Sequence, residues 1–448
     1  MNENELNKNL HKLLQHLDSI KDTLPMVMLL LGPYQKKARL KFKEFVEENV
    51  DEIEEEDGKK ILTVTFEQSS VFEQLSKNSQ TSSLASKIIP ESLFVTLISQ
   101  YDSYLNQLLR ILFNIRPEYI NNSERELTFA DLNDFKSIEE AREFIIEKEV
   151  ESVLRKNHSE HFTYLENKIG MPLKKDLPIW KTFIEITERR NLFVHCDGIV
   201  SSQYIKVCTE NECLPKDIEL NQRLQADLEY FNSAYRCLYE ITTKLTHTIW
   251  RKLIKEDIKQ ADEKLNEICY ELLTNRQYKL ADILLDFACK QTKHYNDATK
   301  NIFTVNKSLS QYLQENKENA KKIIDGKDWS ASSDDFKMAH LILSEKFDAV
   351  YALMKKIGKD GDVHRESYKT WPLFYKLREK EEFKNLFNEI FEEEYKVLEI
   401  PKRPIQELIE ELVEKNPKLK VEKVKKEAPK KKTIRKKPNS KVKKETEK

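Results

Sequence analysis

The sequence is organised around residues 188–198, which read ERRNLFVHCDG and run from a charged helix into a glycine. Asn191 and His195 are four residues apart, so they share one face of a helix. Arg190 is rotated by about 100° from Asn191. It therefore falls in a mainly apolar row, with Phe183, Ile186, Phe193 and Val194. A guanidinium in such a row needs a partner or a water-filled cleft. Gly198 suits the end of the helix, because glycine adopts left-handed backbone angles at little cost.

The spacing of this stretch is similar to that of a known family. Four residues separate Arg190 from His195, and the polar Asn191 follows the arginine directly. The pattern resembles the R-x4-6-H signature of HEPN domains (higher eukaryotes and prokaryotes nucleotide-binding) over about residues 178–204. The resemblance implies an RNA substrate, catalytic roles for these three residues, and neither cofactor nor metal. Arg189 also fits the spacing, but Arg190 is preferred because Asn191 then fills the family's usual polar position.

These residue types suit cleavage of RNA by its own 2′-hydroxyl group. Histidine transfers protons near neutral pH because its ordinary pKa is about 6.5, and the planar fork of arginine matches phosphate oxygens. Asn191 can hold the imidazole or contact phosphate. One histidine cannot easily serve as base and acid in a single step. Since known HEPN ribonucleases pair two domains, the resemblance implies a homodimer with a composite cleft and products ending in 2′,3′-cyclic phosphate and 5′-hydroxyl groups.

Other interpretations stay open beside the endoribonuclease. A HEPN domain can be a non-catalytic adaptor that binds RNA or protein, and an Arg/His pair at a helix end can simply cap carbonyl groups in a scaffold. For an active enzyme, the resemblance implies a role in phage defence or abortive infection, where a regulatory protein partner is possible. The chain lacks the phosphate-binding motif G-x-x-x-x-G-K-[ST], which argues against an NTPase.

Composition predicts an all-α protein with more than one core. The chain has 448 residues, 34% of them charged, with only 7 glycines and 13 prolines. We expect four parts: an N-terminal helical extension (1–88), a HEPN domain (89–256), a tetratricopeptide-like helical-hairpin domain (257–400) and a disordered basic tail (401–448). From Lys415 onward the tail has 16 Lys/Arg and 4 Asp/Glu, a charge of +12 against −1 for the whole chain. Such a tail can contact nucleic acid through phosphates or simply solubilise the protein.

Several local patterns refine this division. Apolar periodicity predicts helices over residues 90–115 and 217–255, which close the bundle around the motif helix. Residues 61–66 have β-branched character and suit a strand, residues 78–86 are rich in Ser/Thr and suit a linker, and residues 199–207 suit extended structure.

The C-terminal repeats are indicated by two similar stretches. Residues 272–281 (LLTNRQYKLA) resemble residues 341–350 (LILSEKFDAV), and Tyr278 and Phe347 are 69 positions apart (347 minus 278), close to two tetratricopeptide periods. Tyr312 lies at the intermediate position. We therefore interpret the region from about 260 to 395 as a degenerate array of hairpins, which stack because one hairpin cannot bury its own apolar face.

Three further groups of polar residues are candidates for ligands or orienting groups. Asp102 is expected to be exposed, although a buried acid there could orient a catalytic base. His158 and His161 are assigned to the surface, because two histidines do not complete a metal site. Cys208 and Cys213 lack the second pair that a zinc site would need.

The expected location is the cytoplasm. The N-terminus shows no signal-peptide pattern. The longest strongly apolar run, residues 25–32, is far shorter than the roughly 20 residues needed to cross a bilayer. We therefore expect a soluble protein without membrane contact, whose six cysteines are reduced.

Overall fold

The computed structural model describes residues 4–54, 60–121, 127–175, 177–396, 411 and 414. The described chain is helical except for one short antiparallel pair of strands, β1 (Asp51–Glu54) and β2 (Lys60–Thr63). The prediction of an all-α protein is thus confirmed, with a strand where residues 61–66 suggested one. The predicted basic tail falls almost wholly outside the described residues.

The first nine helices form the bundle that carries the motif. Their bounds are α1 (Glu5–Asn49), α2 (Phe66–Ile115), α3 (Glu118–Asn121), α4 (Phe129–Asn133), α5 (Ile138–Leu154), α6 (His158–Ile169), α7 (Trp180–His195), α8 (Ser202–Glu210) and α9 (Leu228–Leu253). Helix α1 runs along α2, and both pack against α9. The motif helix α7 lies against α2, α6 and α9, with α8 beside it. The motif helix therefore packs against α2 and α9, the two helices of the bundle with the most buried residues.

Apolar stripes explain this packing. On α1 the leucines at helical spacing are all buried: Leu6, Leu10, Leu13, Leu14 and Leu17. Full burial of each such side chain contributes about 1.5–3 kcal/mol. Between α2 and α9, the buried hydroxyls of Tyr104 and Thr246 lie 2.6 Å apart and form a hydrogen bond. Buried polar atoms need such partners, so the pair fixes how α2 and α9 align.

The predicted linker at residues 78–86 is wrong, because α2 continues through it. Serine hydroxyls there donate to carbonyl groups one turn earlier: Ser82 to Ser79 at 2.9 Å, and Ser86 to Ser83 at 2.8 Å. These bonds satisfy the side chains inside a helix, an alternative that composition alone does not reveal. The expected domain boundary between residues 88 and 89 falls inside α2, and the division into domains stays a prediction.

Two other local predictions are corrected by capping residues. The predicted helix over 217–255 begins only at Leu228, where the side chain of Asp227 accepts from the Tyr230 N–H at 2.7 Å. Residues 199–207 are not extended, because α8 starts after Ser201, whose hydroxyl accepts from the Tyr204 N–H at 3.2 Å. Both side chains satisfy amide groups that a helix start leaves unpaired.

The remaining named helices lie C-terminal to α9. Their bounds are α10 (Ile258–Thr274), α11 (Tyr278–Cys289), α12 (Asp297–Leu313), α13 (Lys317–Ile324), α14 (Asp334–Leu343), α15 (Phe347–Ile357), α16 (Arg365–Thr370) and α17 (Glu381–Phe391). Single turns of 3-10 helix span Lys255–Asp257 and Pro372–Phe374.

Three consecutive pairs of helices are in contact in this region, and the tetratricopeptide-like array stays a prediction. Contacts join α10 to α11, α12 to α13 and α14 to α15. Tyr278 and Phe347 both start the second helix of a pair, whereas Tyr312 ends a first helix and is not their equivalent. Among the described residues, no helix is long and apolar enough to cross a membrane.

Candidate functional site

Arg190 has the partner that its position in an apolar row requires. Its Nη2 donates to Oδ2 of Asp102 at 2.9 Å, and its Nη1 donates to Oδ1 of Asn191 at 3.1 Å. The arginine side chain is 23% exposed and the aspartate side chain 29%. The guanidinium is therefore fixed by two oxygens and still reaches solvent.

Asp102 is half-buried and paired, so the expectation of an exposed residue is wrong. Its second oxygen lies 3.0 Å from Nε2 of His158. One carboxylate on α2 thus bridges the motif arginine and a histidine on α6. Asp102 and Arg190 are 88 residues apart, and only packing of α7 on α2 brings them together. The other interpretation of Asp102, a buried acid that orients a catalytic base, stays a prediction, because its partners are Arg190 and His158 and not His195.

The assignment of His158 and His161 to the surface is also wrong. They are 7% and 2% exposed, and their ring centroids are 5.1 Å apart. His158 also lies beside the rings of Tyr101 and Phe183, 5.9 Å from each. Burial, together with the neighbouring His158, lowers the pKa of His161 to about 4. His161 is therefore neutral at pH 7.

Arg189 occupies a different environment from Arg190. Its Nε donates to Glu185 Oε1 at 2.8 Å, and its Nη2 forms an ion pair with the same oxygen at 2.7 Å. The hydroxyls of Tyr204 and Tyr230 donate to the same carboxylate, each at 2.7 Å. The Arg189 guanidinium also stacks 4.0 Å from the centre of the Tyr230 ring. Burial alone would lower the pKa of Arg189, but Tyr230 and Glu185 raise it.

This network distinguishes the two arginines. Arg189 is 8% exposed, and its charge is already matched inside the protein. Arg190 is more exposed and is held at the edge of the bundle. Between the two positions that fit the sequence spacing, the geometry favours Arg190 as the group that meets a ligand.

His195 is the last residue of α7 and is exposed. Within the described ranges its ring makes no hydrogen bond, so both ring nitrogens are available to a ligand. Next to it, Val194 is 47% exposed and Ile199 is 40% exposed. The C-terminal end of the motif helix is therefore an open surface with apolar side chains around the histidine.

The turn after His195 is fixed by Gly198, as predicted. Its φ is +74°, and its N–H donates to the Leu192 carbonyl at 3.0 Å. A Cβ at this position would lie 3.0 Å from the ring of Phe193, closer than such contacts normally are. Glycine is needed here both for its backbone angles and for the space it leaves.

Glu188 is a site residue that sequence reasoning did not single out. It precedes Asn191 by three residues and His195 by seven, so all three lie on one helix face. It is 9% exposed, and burial raises the pKa of its carboxyl group, although His158 opposes the shift. The helical spacing was a usable signal, but only the structure reveals the burial.

Comparisons with protein-family models, with curated proteins and with solved structures find no match to this chain. In the part of the chain that the structure describes, no group of three His, Cys, Asp or Glu side chains is arranged to hold a metal ion. The functional assignment therefore depends on the chemistry of Arg190, Asn191, His195 and the acid that packs beside them.

Proposed function

We propose that the chain is a HEPN endoribonuclease that cleaves RNA without a metal and acts in phage defence or abortive infection. The observation that supports this most strongly is the placement of Arg190. It is held by Asp102 and Asn191 at the edge of the bundle, on the same helix as the exposed His195. A structural arginine would have no need of that exposure, as Arg189 illustrates.

Arg190 is the phosphate-binding group. A guanidinium has five N–H donors. One on each terminal nitrogen is directed at Asn191 and Asp102, and Nε is buried without a partner. The two remaining donors on the terminal nitrogens can contact phosphate oxygens, where charge develops in the transition state.

His195 transfers protons in the proposed reaction. As base it takes the proton of the 2′-hydroxyl, whose oxygen forms a bond to phosphorus. The bond from phosphorus to the 5′-oxygen breaks, and the leaving oxygen takes a proton from an acid. The products are a 2′,3′-cyclic phosphate and a 5′-hydroxyl. Removal of such a base or acid typically lowers the rate by about 10²–10⁴.

The acid comes from a second copy of the chain in this proposal. Two copies related by a two-fold axis bring the same surface together twice, so two His195 residues face one cleft. The exposed Val194 and Ile199 support this placement, because they offer apolar surface beside the histidine. Val194→Glu should then give monomers in sedimentation and lose cleavage, whereas Ile302→Glu, at a similarly exposed site on α12, should retain both.

The nuclease is tested by incubating single-stranded and transfer RNA with the purified protein in EDTA. Arg190→Ala and His195→Ala should each lose cleavage, whereas His11→Ala, at an exposed histidine on α1, should retain it. Cleavage that persists in either motif variant contradicts the site. RNA binding without any cleavage by the wild type favours the adaptor.

A second role is proposed for the helical hairpins. Tyr278 and Phe347 start corresponding helices of two pairs, which supports a tetratricopeptide-like region. We propose that this region binds a regulatory protein. Deletion is a poor test, because α10 and α11 pack on α9. Capture of a partner by the full chain, compared between wild type and charge-reversed hairpin surfaces, tests it better.

A further inference from the structure

Two helical segments extend beyond the main core and form an arm. We define the arm as residues 25–49 of α1 and 66–89 of α2. Between residues 29 and 92, none of the described apolar side chains belongs to the main core. The two segments pack on each other instead, with the rings of Phe42 and Phe72 5.6 Å apart. At 1.5 Å per residue, the arm is about 37 Å long.

The middle of the arm is strongly basic. Between Asp22 and Glu44 there is no acidic residue, but there are five basic ones: Lys36, Lys37, Arg39, Lys41 and Lys43. From Glu73 to Glu91 it has two more lysines, Lys77 and Lys87, again without an acid between them. The arm thus has seven basic residues (five plus two) against five acidic ones, and the acidic residues lie toward its outer end: Glu44, Glu47, Glu48, Glu67 and Glu73. The surface attracts anions.

A groove of about 730 Å³ runs along this basic region. Arg39 and Lys43 line it from α1, together with Gln35, and α2 contributes Ser79, Gln80 and Ser83. Lys36, Arg39 and Lys43 have the i, i+3, i+7 spacing of one helix face. Lys37 and Lys41 lie on the other flank of α1. Phe42, Val46 and Leu84 complete the lining, so the groove combines cations, neutral hydrogen-bonding groups and apolar side chains.

One contact competes for these cations. Lys43 lies 3.1 Å from Glu47, but the two side chains are 66% and 61% exposed. Exposed pairs of this kind contribute about 0–1 kcal/mol. A phosphate group can therefore displace the glutamate at little cost.

We propose that this groove binds the phosphate backbone of RNA. Lysine, arginine, serine and glutamine are the side chains that contact phosphates and sugars in nucleic-acid complexes. The proposal rests on the nuclease function and adds a docking surface for its substrate. Ser83, which lines the groove, and Asp102 are 19 residues apart on α2, about 28 Å. A stacked strand spans that distance with about eight nucleotides at 3.4 Å each, so one RNA can contact groove and motif together.

The test is RNA binding by a chain that does not cut. In a His195→Ala background, with EDTA present, binding of a fluorescein-labelled single-stranded RNA is followed by anisotropy at several salt concentrations. The groove variant is Arg39→Glu with Lys43→Glu. The matched control is Lys37→Glu with Lys41→Glu, which makes the same charge change on the other flank of the same helix. Circular dichroism checks that both variants retain their helix content.

We expect the groove variant to bind about tenfold or more weakly than the control. Loss of two phosphate contacts should lower the slope of log affinity against log salt by about 1.4, at about 0.7 per phosphate of a single strand. Equal affinity of the two variants overturns the proposal. So does a defect of the groove variant confined to self-association or to vesicles of anionic lipid, since the groove would then face protein or membrane.

The binding and cleavage experiments together distinguish a failure of the groove proposal from a failure of the nuclease proposal. If the wild type does not cleave RNA but binding still depends on Arg39 and Lys43, the nuclease is refuted and the groove remains. If the wild type cleaves and both arm variants bind equally, only the groove is refuted.

Discussion

Arg190 donates through Nη2 to Oδ2 of Asp102 at 2.9 Å, and this ion pair joins the motif helix to α2. Asp102→Asn keeps the shape of the side chain but removes the charge that holds the guanidinium. We expect RNA cleavage to fall by about tenfold or more, because catalysis depends on the orientation of the phosphate-binding group. Single-turnover rates in EDTA measure this. Asp348→Asn, an exposed aspartate on α15, serves as the control, and equal rates in both variants would contradict the role of Asp102.

The two neighbouring arginines should have different roles: Arg189 stabilises the fold, and Arg190 is needed for RNA cleavage. Arg189→Met leaves the carboxylate of Glu185 buried without its cation, which typically costs about 3–5 kcal/mol. Arg190→Met breaks a more exposed pair, for which about 1 kcal/mol is expected after solvent screening. Urea unfolding should therefore show a large loss of unfolding free energy for Arg189→Met only. Arg190→Met should keep its fold and lose RNA cleavage. Similar losses of stability in both variants would refute the distinction.

Glycine at position 198 should be hard to replace. Gly198→Ala puts a side chain at a positive φ and against the ring of Phe193, so we expect a loss of about 1–2 kcal/mol in the free energy of unfolding. Gly32→Ala is the matched control, because Gly32 lies inside α1 with open space around its Cα. The gain of about 0.5–1 kcal/mol that alanine usually brings inside a helix is offset here because Gly32 precedes Pro33, whose ring disfavours helical angles in a residue with a Cβ, so this variant should stay close to the wild type. A Gly198 variant as stable as the wild type would contradict the strained turn.

Buried histidines predict a loss of stability in acid. The pKa of His161 is about 4 in the folded chain, against about 6.5 in the unfolded chain. Between these values the unfolded chain binds the extra proton, so stability is complete above pH 6.5 and falls as the pH drops toward 4. From 6.5 to 4, at 1.36 kcal/mol per pH unit, the loss is about 3 kcal/mol.

His161→Phe should remove much of this dependence. His247 should leave part of the pH dependence in place, because burial and the nearby Arg251 together lower its pKa to about 3. Unfolding free energies measured between pH 7 and pH 4 check the prediction. An unchanged slope in the variant would show that His161 accepts its proton without cost.

The sequence predicted that Arg190 needs a partner, but it did not identify Asp102 as that partner. Helical periodicity places the arginine in an apolar row, where a guanidinium needs a partner or a water-filled cleft, and the glycine at position 198 predicts the turn that follows the helix. The partner Asp102 comes from another helix, and nothing local in the sequence specifies how two helices pack. His158 and His161 were misassigned for the same reason, since their burial depends on α6 meeting α7. The prediction of a linker at residues 78–86 was wrong because serine hydroxyls can donate to carbonyl groups of the preceding turn and so be accommodated inside a helix.

The chemistry of the cut ends tests the central claim most directly. Labelled RNA is incubated with the wild-type protein and with His195→Ala in EDTA, and the product ends are identified by phosphatase and kinase treatment. The proposed reaction predicts 2′,3′-cyclic phosphate and 5′-hydroxyl ends with the wild type and intact RNA with the variant. Products that carry 5′-phosphate ends, or the same products from His195→Ala, would contradict it.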